Sequence, residues 1–182
     1  MTRAGSQINS QLLYERQQKA CPHASAPKII ADGIHAPENM GAVLRLAEAA
    51  GSQSVVFVEQ EKFDACSPQK IRKAARGAEK NVVWDLRERD NFFAQPPQTE
   101  TRIAVELTDT SASVFETVLP AQCVFVIGNE RQGISPAMLA SCQQSVHIPM
   151  YGSNGSMNVT HALAIVLYEW RRQQERENAG RC

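Results

Sequence analysis

The chain has 182 residues, a length that predicts one domain, and its 19 Lys plus Arg balance 19 Asp plus Glu to a formal net charge of zero. With 43% hydrophobic and 21% charged residues, its composition excludes disordered, collagen-like and coiled-coil proteins. The neutral charge, taken alone, argues against a nucleic-acid partner, because such proteins usually carry an excess of Lys and Arg.

Short apolar runs follow a polar, mildly basic arm at residues 1–27, which lacks the apolar core of a signal peptide. The runs Val55–Val58 and Val124–Ile127 are continuously apolar, as is typical of parallel strands covered on both faces. Because helical patterns separate the runs, we predict a single α/β domain over residues 28–182, with a mostly parallel sheet and helices on both faces. The predicted strands are Lys28–Ile34, Val55–Val58, Val82–Trp84, Ile103–Leu107, Cys123–Ile127 and Val146–Ile148.

Capping residues delimit the predicted helices. Gly51 is a natural C-cap for the first, and Ser67-Pro68 and Ser135-Pro136 both place proline at a first helical position. The last helix is apolar on most sides in its first half, so we expect it to be buried against both the core and a second subunit. The predicted helices are Glu38–Ala50, the segment from Ser67 to Gly77, Ala137–Ser141 and Asn158–Asn178, and the clearest loop is Asn91–Glu100.

Cysteine and histidine spacing gives no sign of a metal site. The five cysteines include no C-x-x-C pair and the four histidines share no spacing, whereas a zinc site needs about four well-spaced ligands. Cys123, at the head of an apolar run, is expected to be a small buried core residue. No apolar run reaches the ~18 residues of a membrane span, so we expect a cytoplasmic protein with reduced thiols.

Polar residues that neither loops nor a core require are concentrated in three segments. The first, residues 35–51, carries Asn39 and Arg45 near a helix start; the second, Val126–Ser135, directly follows an apolar strand. The third, Ile148–Thr160, joins a strand end to the last helix through a Gly/Ser/Asn loop. Ligands of open α/β sheets bind beyond the carboxyl ends of strands, so these segments predict a small-ligand site, although none is a dinucleotide or P-loop fingerprint.

In this order, the segments resemble the three signature motifs of the SpoU (TrmH) branch of the SPOUT RNA methyltransferases. The first motif, roughly Asn/Asp-Pro-x-Asn-x-Gly with a later Arg, corresponds to Ala36–Gly41 and Arg45. The second, Gly-x-Glu-x-x-Gly, corresponds to Gly128–Gly133. The third, Ile-Pro-Met and then Ser-Leu-Asn-Val-Ser, corresponds to Ile148–Met150 and Ser156–Thr160.

The resemblance extends from about Lys28 to Arg172 and departs from the family pattern at three positions: Ala36, Met157 and Thr160. Only Ala36 removes a polar contact. The resemblance implies the SPOUT fold with a deep C-terminal trefoil knot, and a homodimer that completes the active site. It also implies S-adenosylmethionine as cofactor and methylation of a ribose 2′-hydroxyl in tRNA or rRNA. The short N-terminal arm leaves no room for the extra RNA-binding domain of some relatives, which favours tRNA.

The resemblance also implies roles for individual residues. Arginine is almost never deprotonated, so we expect Arg45 to stabilise the developing alkoxide or to hold a phosphate rather than to act as a base. Simpler alternatives are an Arg45–Glu48 pair, Ser156 as the N-cap of the last helix, and Glu130 as a capping or solvated residue. The implied catalytic residues are Arg45, Asn39, Glu130, Ser156 and Asn158, and the implied cofactor-binding residues are Leu107, Gly128, Ile148 and Met157.

A local positive charge makes RNA binding compatible with the neutral total. Residues 70–80 contain five cationic residues against Glu79, a net charge of +4, which predicts a phosphate track or, alternatively, a solvated helix face. Two other functions stay open: an RNA-binding protein of this fold that lost catalysis, and a methyltransferase with a different acceptor. The candidate RNA-binding residues are Lys70, Arg72, Lys73 and Arg76.

Overall fold

The computed structural model describes Asn9 and residues 26–52, 54–59, 67–95, 99–153 and 155–179. Most of the predicted N-terminal arm therefore lies outside the described residues. Across the described ranges, strands and helices alternate as the sequence predicts. The strands are β1 (Lys28–Asp32), β2 (Ser54–Glu59), β3 (Val83–Glu88), β4 (Thr101–Val105), β5 (Ala112–Ser113), β6 (Cys123–Ile127) and β7 (Gln144–His147).

These seven strands form one sheet in the order β3-β2-β1-β6-β4-β7-β5, and every described pair is parallel. The predicted mostly parallel α/β architecture is confirmed. Strand β1 ends two residues before the predicted Ile34 because Gly33 turns the chain with φ of 73°. The two-residue strand β5 was not predicted, since it is too short to show a periodic pattern.

Each predicted helix is present, and the structure adds one that the sequence did not indicate, the short helix at Arg89–Phe93. The predicted loop Asn91–Glu100 is therefore wrong at its beginning, where residues 91–93 are helical. Residues 96–98 of that loop lie outside the described ranges. Phe92 explains the helix, because its ring packs against a core cluster with the Arg102 guanidinium 5.2 Å from its centre. The helices are α1 (Pro37–Ala50), α2 (Pro68–Ala75), α3 (Arg89–Phe93), α4 (Pro136–Ala140) and α5 (Val159–Ala179), with a 3₁₀ turn at Ala78–Lys80.

Alternate residues of the central strands enter two separate cores. On one face, Phe57 and Phe125 pack with α1, α2 and α5; on the other, Val58 and Val126 pack with Met138 of α4. The two continuously apolar runs are thus covered on both faces, and helices lie on both sides of the sheet, as predicted.

Helix α5 is buried on one side only within the described chain. Trp170 is fully buried and donates Nε1–H to the Pro120 carbonyl at 2.8 Å, whereas Tyr168 is 53% exposed. The predicted packing of α5 on the core is confirmed; a second subunit on its other side and the trefoil knot stay predictions. Within the described ranges, no helix has the length and apolar character needed to span a membrane.

Candidate active site

The carboxyl ends of three adjacent strands bring three of the predicted cofactor-binding residues to one edge of the sheet. Strands β6, β4 and β7 are neighbours, and Leu107 and Ile148 each lie two residues beyond the paired residues Val105 and Val146. Gly128 directly follows β6. Gly128 is buried and Ile148 packs against the core, while Leu107 is 68% exposed. This edge offers backbone groups and apolar surface side by side.

The loop after β6, residues 128–135 and here called the second loop, is closed on itself. Asn129 and Gly133 exchange backbone hydrogen bonds of 3.0 and 2.9 Å. The Asn129 Oδ1 atom also accepts from the backbone N–H groups of Arg131 and Gln132, at 2.9 and 3.2 Å. The return of the chain brings Gly133 against Gly128 so closely that a Cβ at Gly128 would lie 2.2 Å from the Gly133 carbonyl carbon. The backbone therefore turns sharply directly after β6.

The second loop holds the segment between β1 and α1, residues 33–39, here called the first loop. Asn129 donates its side-chain N–H to the Gly33 carbonyl at 2.7 Å. At the other end of the first loop, the Asn39 side-chain amide donates to the Glu130 carboxylate. The structure thus brings together two of the predicted catalytic residues, Asn39 and Glu130, by a direct hydrogen bond.

Two carboxylates anchor the second loop, one half-buried (Glu106) and one buried (Asp32). Neither was predicted from the sequence. Glu106, just after β4, accepts from Ile134 N–H at 3.0 Å. Asp32, 1% exposed at the end of β1, accepts from Ser135 N–H at 2.7 Å and from the Arg89 guanidinium at 2.9 Å. The sequence did contain a signal for both residues. Each is an acidic residue near the carboxyl end of a predicted strand, where core packing does not require a charge.

The third loop, residues 148–158, carries predicted site residues for which the described residues show no hydrogen bond to Asn39, Arg45 or Glu130. Asn158 accepts from the Thr160 N–H at 2.8 Å and from the Thr160 hydroxyl at 2.6 Å, so it caps α5. The alternative that Ser156 is this N-cap is wrong, because α5 begins at Val159 and places Asn158 at the capping position. Ser156 is exposed and Met157 half-buried.

Arg45 lies on the exposed side of α1, about 9 Å along the helix from Asn39 at ~1.5 Å per residue. It has no hydrogen-bond or ion-pair partner among the described residues. The alternative pairing with Glu48 is not found, since Glu48 accepts instead from the Asn81 side chain. Ala36, the main departure from the family motif, is the N-cap of α1 and supplies no capping side chain.

A polar cleft of about 450 Å³ opens beside the first and second loops. Among its lining residues, Glu59 is 4% exposed and its Oε2 lies 2.9 Å from His35 Nδ1. Burial raises the pKa of the Glu59 carboxyl above its usual range. The nearby charge of His35 lowers this pKa, that of Asp32 raises it, and that of Arg89 lowers it by a smaller amount. No motif in the sequence distinguishes Glu59 or His35, so this cleft was not predicted.

The predicted RNA-binding residues all lie on α2 or at its C-cap. Ile71 and Ala75 are buried beneath the helix, while the cations are exposed and have no ion-pair partner in the described part of the chain. This exposed face is compatible with either of the two predicted roles. The cations are Lys70, Arg72, Lys73 and Arg76.

Known proteins show similarity over most of the chain. The sequence model of the SpoU rRNA Methylase family matches residues 27–168. A 23S rRNA (guanosine-2′-O-)-methyltransferase of Haemophilus influenzae is 30% identical over 157 residues, which is 80% of this chain and 59% of that protein. A tRNA (guanosine(18)-2′-O)-methyltransferase of Aquifex aeolicus is 30% identical over 151 residues, 81% of this chain and 69% of the other.

The fold is likewise similar to solved structures. The crystal structure of the A. aeolicus TrmH/SpoU tRNA modifying enzyme superposes with a TM-score of 0.71 at 25% identity, over 92% of this chain and 86% of that one. The chain spans only about three fifths of the length of the first curated relatives it matches, 59% and 63% for two of them.

Proposed function

The chain belongs to the SpoU rRNA Methylase family, and on that premise we propose that it transfers a methyl group from S-adenosylmethionine to a ribose 2′-hydroxyl of tRNA or rRNA. The observation that carries the proposal is the Asn39–Glu130 hydrogen bond, which joins the first and second motifs at the strand ends. The named relatives that methylate guanosine 2′-O in 23S rRNA and in tRNA support the reaction and leave both RNA classes open.

The strand-end edge fits the adenosine part of the cofactor. Backbone N–H and C=O groups next to Gly128 and Ile148, with the apolar side chains of Ile148 and Leu107, combine polar and apolar surface as small-molecule sites do. Met157 of the third loop would add an apolar contact to the bound cofactor. S-adenosylmethionine, when bound there, supplies an electrophilic methyl group. The chain's own residues have to position the ribose and manage the proton of its hydroxyl.

Arg45 serves as the charge stabiliser of the ribose oxygen. A ribose hydroxyl is a poor acid, so its oxygen needs a hydrogen-bond donor while its proton leaves, and a guanidinium offers five N–H donors in a fixed fork. Arg45 is free to do so, because it forms no described hydrogen bond or ion pair. Asn39 and Glu130 hold the two loops together, Ser156 and Asn158 border the ribose from the third loop, and an RNA phosphate assists removal of the proton.

A second copy of the chain completes the site. Among the described residues, Arg45 and Ser156 form no hydrogen bond with the Asn39–Glu130 pair, and Tyr168 on α5 is 53% exposed. Tyr151, in the third loop, is 96% exposed. We assign these aromatic surfaces to a homodimer interface, because large exposed apolar side chains are typical of such interfaces. The C-terminal segment would form the trefoil knot of the family.

RNA would approach along α2, whose exposed cations meet phosphates, with tRNA favoured over rRNA. The methyltransferase domain would span residues 28–182 and the arm residues 1–27, in a cytoplasmic protein.

The test of the proposed function is to incubate the protein and labelled cofactor with tRNA and rRNA from a host lacking this gene, and then to map the methylated ribose. Absence of transfer to either RNA would contradict the proposal.

Arg45→Ala tests the catalytic assignment. Loss of one donor to a developing oxyanion costs about 10²–10³ in kcat, while calorimetric binding of S-adenosylmethionine should be nearly unchanged. Arg176→Ala, which removes an exposed arginine near the end of α5, is the matched control and should keep full activity. Full activity of Arg45→Ala would contradict its role, and absence of cofactor binding by the unaltered protein would favour the RNA-binding alternative without catalysis.

A further inference from the structure

Glu106 is a half-buried carboxylate that links two segments of the strand-end edge. It directly follows β4, and its backbone N–H donates to the Val146 carbonyl of β7 at 3.0 Å. Its Oε1 accepts from the Leu107 N–H at 3.1 Å, and its Oε2 accepts from the Ile134 N–H at 3.0 Å. The side chain therefore holds the end of β4 and the second loop together.

Close packing places the Glu106 carboxylate next to residues that we assign to the cofactor. A Cβ at Gly133 would lie 2.6 Å from Glu106 Oε2, so the backbone of the second loop runs directly against the carboxylate. Gly133 in turn lies against Gly128, and Leu107 is the next residue in the chain after Glu106. Because Gly128 and Leu107 both belong to the proposed adenosine site, a cofactor bound there would lie in the electrostatic field of Glu106.

The charge of Glu106 has no cation beside it in the part of the chain that the structure describes. Its carboxylate oxygens accept from backbone N–H groups, and it forms no ion pair with a described residue. The carboxylates at the ends of β1 and β2 differ in this respect, since Arg89 lies 2.9 Å from Asp32 and His35 lies 2.9 Å from Glu59. A carboxylate that is partly removed from water and lacks a cation favours a ligand with a positive charge.

S-adenosylmethionine carries such a charge. Its sulfonium is joined to the 5′ carbon of the adenosine ribose, so adenosine binding at the strand ends brings the positive sulfur close to the same edge. When the methyl group is transferred, the electron pair of the broken C–S bond stays on sulfur, and the product, S-adenosylhomocysteine, is a neutral thioether at this atom. The two molecules otherwise carry the same groups, so a nearby carboxylate distinguishes them by the charge on sulfur.

We propose that Glu106 makes this site bind the sulfonium cofactor in preference to its thioether product. The inference rests on the proposed function, because it requires S-adenosylmethionine at the strand-end edge. Attraction between the carboxylate and the sulfonium strengthens binding of the cofactor, and its loss after methyl transfer lets the product leave. Specificity is a difference between two affinities, and here the carboxylate acts on only one of them.

The quantity that tests this role is the ratio of two calorimetric dissociation constants, Kd for S-adenosylhomocysteine divided by Kd for S-adenosylmethionine. Glu106→Gln keeps the shape and removes the charge, so the ratio should fall about tenfold, as expected for unit charges near a half-exposed surface. A displaced second loop would instead weaken both ligands alike and leave the ratio unchanged. Glu106→Asp keeps the charge and should therefore keep most of the ratio. Glu116→Gln, which changes an exposed carboxylate after β5, is the control and should alter neither constant.

Salt provides a second test that needs no variant. At about 1 M ionic strength the screening length falls to ~3 Å, so Kd for S-adenosylmethionine should rise in the unaltered protein much more than Kd for S-adenosylhomocysteine. An unchanged ratio in a folded Glu106→Gln protein would overturn the inference and leave the proposed function intact. If thermal unfolding shows that Glu106→Gln does not fold, an equal response of both ligands to salt would overturn it. Failure of the unaltered protein to bind either ligand would overturn both the inference and the proposed function.

Discussion

Gly128→Ala tests whether the second loop has room for any side chain at its first residue. An added Cβ would lie 2.2 Å from the Gly133 carbonyl carbon, 2.3 Å from the Ile134 nitrogen and 2.6 Å from the Gly133 oxygen. All three are backbone atoms, so no rotamer change relieves the contacts. To reach an ordinary separation of 3.4 Å, the chain at Gly133 would have to withdraw by about 1.2 Å from the shortest of them.

That displacement should affect both stability and the proposed activity. Overpacking of this kind costs about 1–3 kcal/mol, and each kcal/mol lowers Tm by roughly 2–4 °C for a chain of this size. A misplacement of about 1 Å can cost ~10²-fold in rate. Since Asn129 and Glu130 hold the first loop, we expect a comparable loss of methyl transfer and at least tenfold weaker binding of S-adenosylmethionine.

The matched control is Gly152→Ala, the same substitution in the third loop. A Cβ there would have no atom within 4 Å, so Tm should stay within about 2 °C of the unaltered protein. Calorimetric titration with S-adenosylmethionine and thermal unfolding measure the two effects. If Gly128→Ala binds the cofactor as tightly as the unaltered protein and keeps its Tm, the close packing of the second loop is refuted.

Three further predictions concern stability and thiol reactivity. Ala36→Asp should stabilise the protein by about 1 kcal/mol, because it supplies the N-cap acceptor that α1 lacks, and should raise Tm by a few degrees. Arg89→Ala should lower the free energy of unfolding in urea by about 3–5 kcal/mol, because it leaves the buried Asp32 carboxylate without its cation, whereas Arg87→Ala, which breaks an exposed pair, should cost less than about 1 kcal/mol. Burial raises the pKa of the Cys123 thiol to about 12, so iodoacetamide at pH 8 should leave Cys123 unmodified in the folded protein, as judged by mass spectrometry. Because the folded-state pKa is the higher one, this contribution to stability is fully present below about pH 9 and is lost as the pH rises toward 12.

Each of these has a contrary outcome. An unchanged or lower Tm for Ala36→Asp would place the start of α1 elsewhere. Equal losses for Arg89→Ala and Arg87→Ala would mean that Asp32 does not depend on its buried ion pair. Rapid alkylation of Cys123 in the folded protein would mean that β6 is not covered as described.

Local patterns in the sequence were sufficient for the central elements of the fold. Strand β6 was predicted with both of its ends correct, because five consecutive apolar or small residues are followed by Gly128. Helix α1 was predicted within one residue, because Pro37 and Gly51 delimit it. Helix α3 and strand β5 were missed, since each depends on distant contacts: Phe92 with the core beneath Arg102, and Ala112 with Val146 of β7.

For the site, local patterns showed which residue types follow which strands, because the three motifs are local and their turns depend on nearby glycine, asparagine and proline. The same motifs indicated the family and hence the reaction. Which of those residues meet depends on long-range packing, which no local pattern contains. The Asn39–Glu130 bond joins residues 91 positions apart, and the Asp32–Ser135 bond joins residues 103 apart. The cleft around Glu59 arises in the same way, because separate segments become neighbours only when parallel strands align their carboxyl ends at one edge of the sheet.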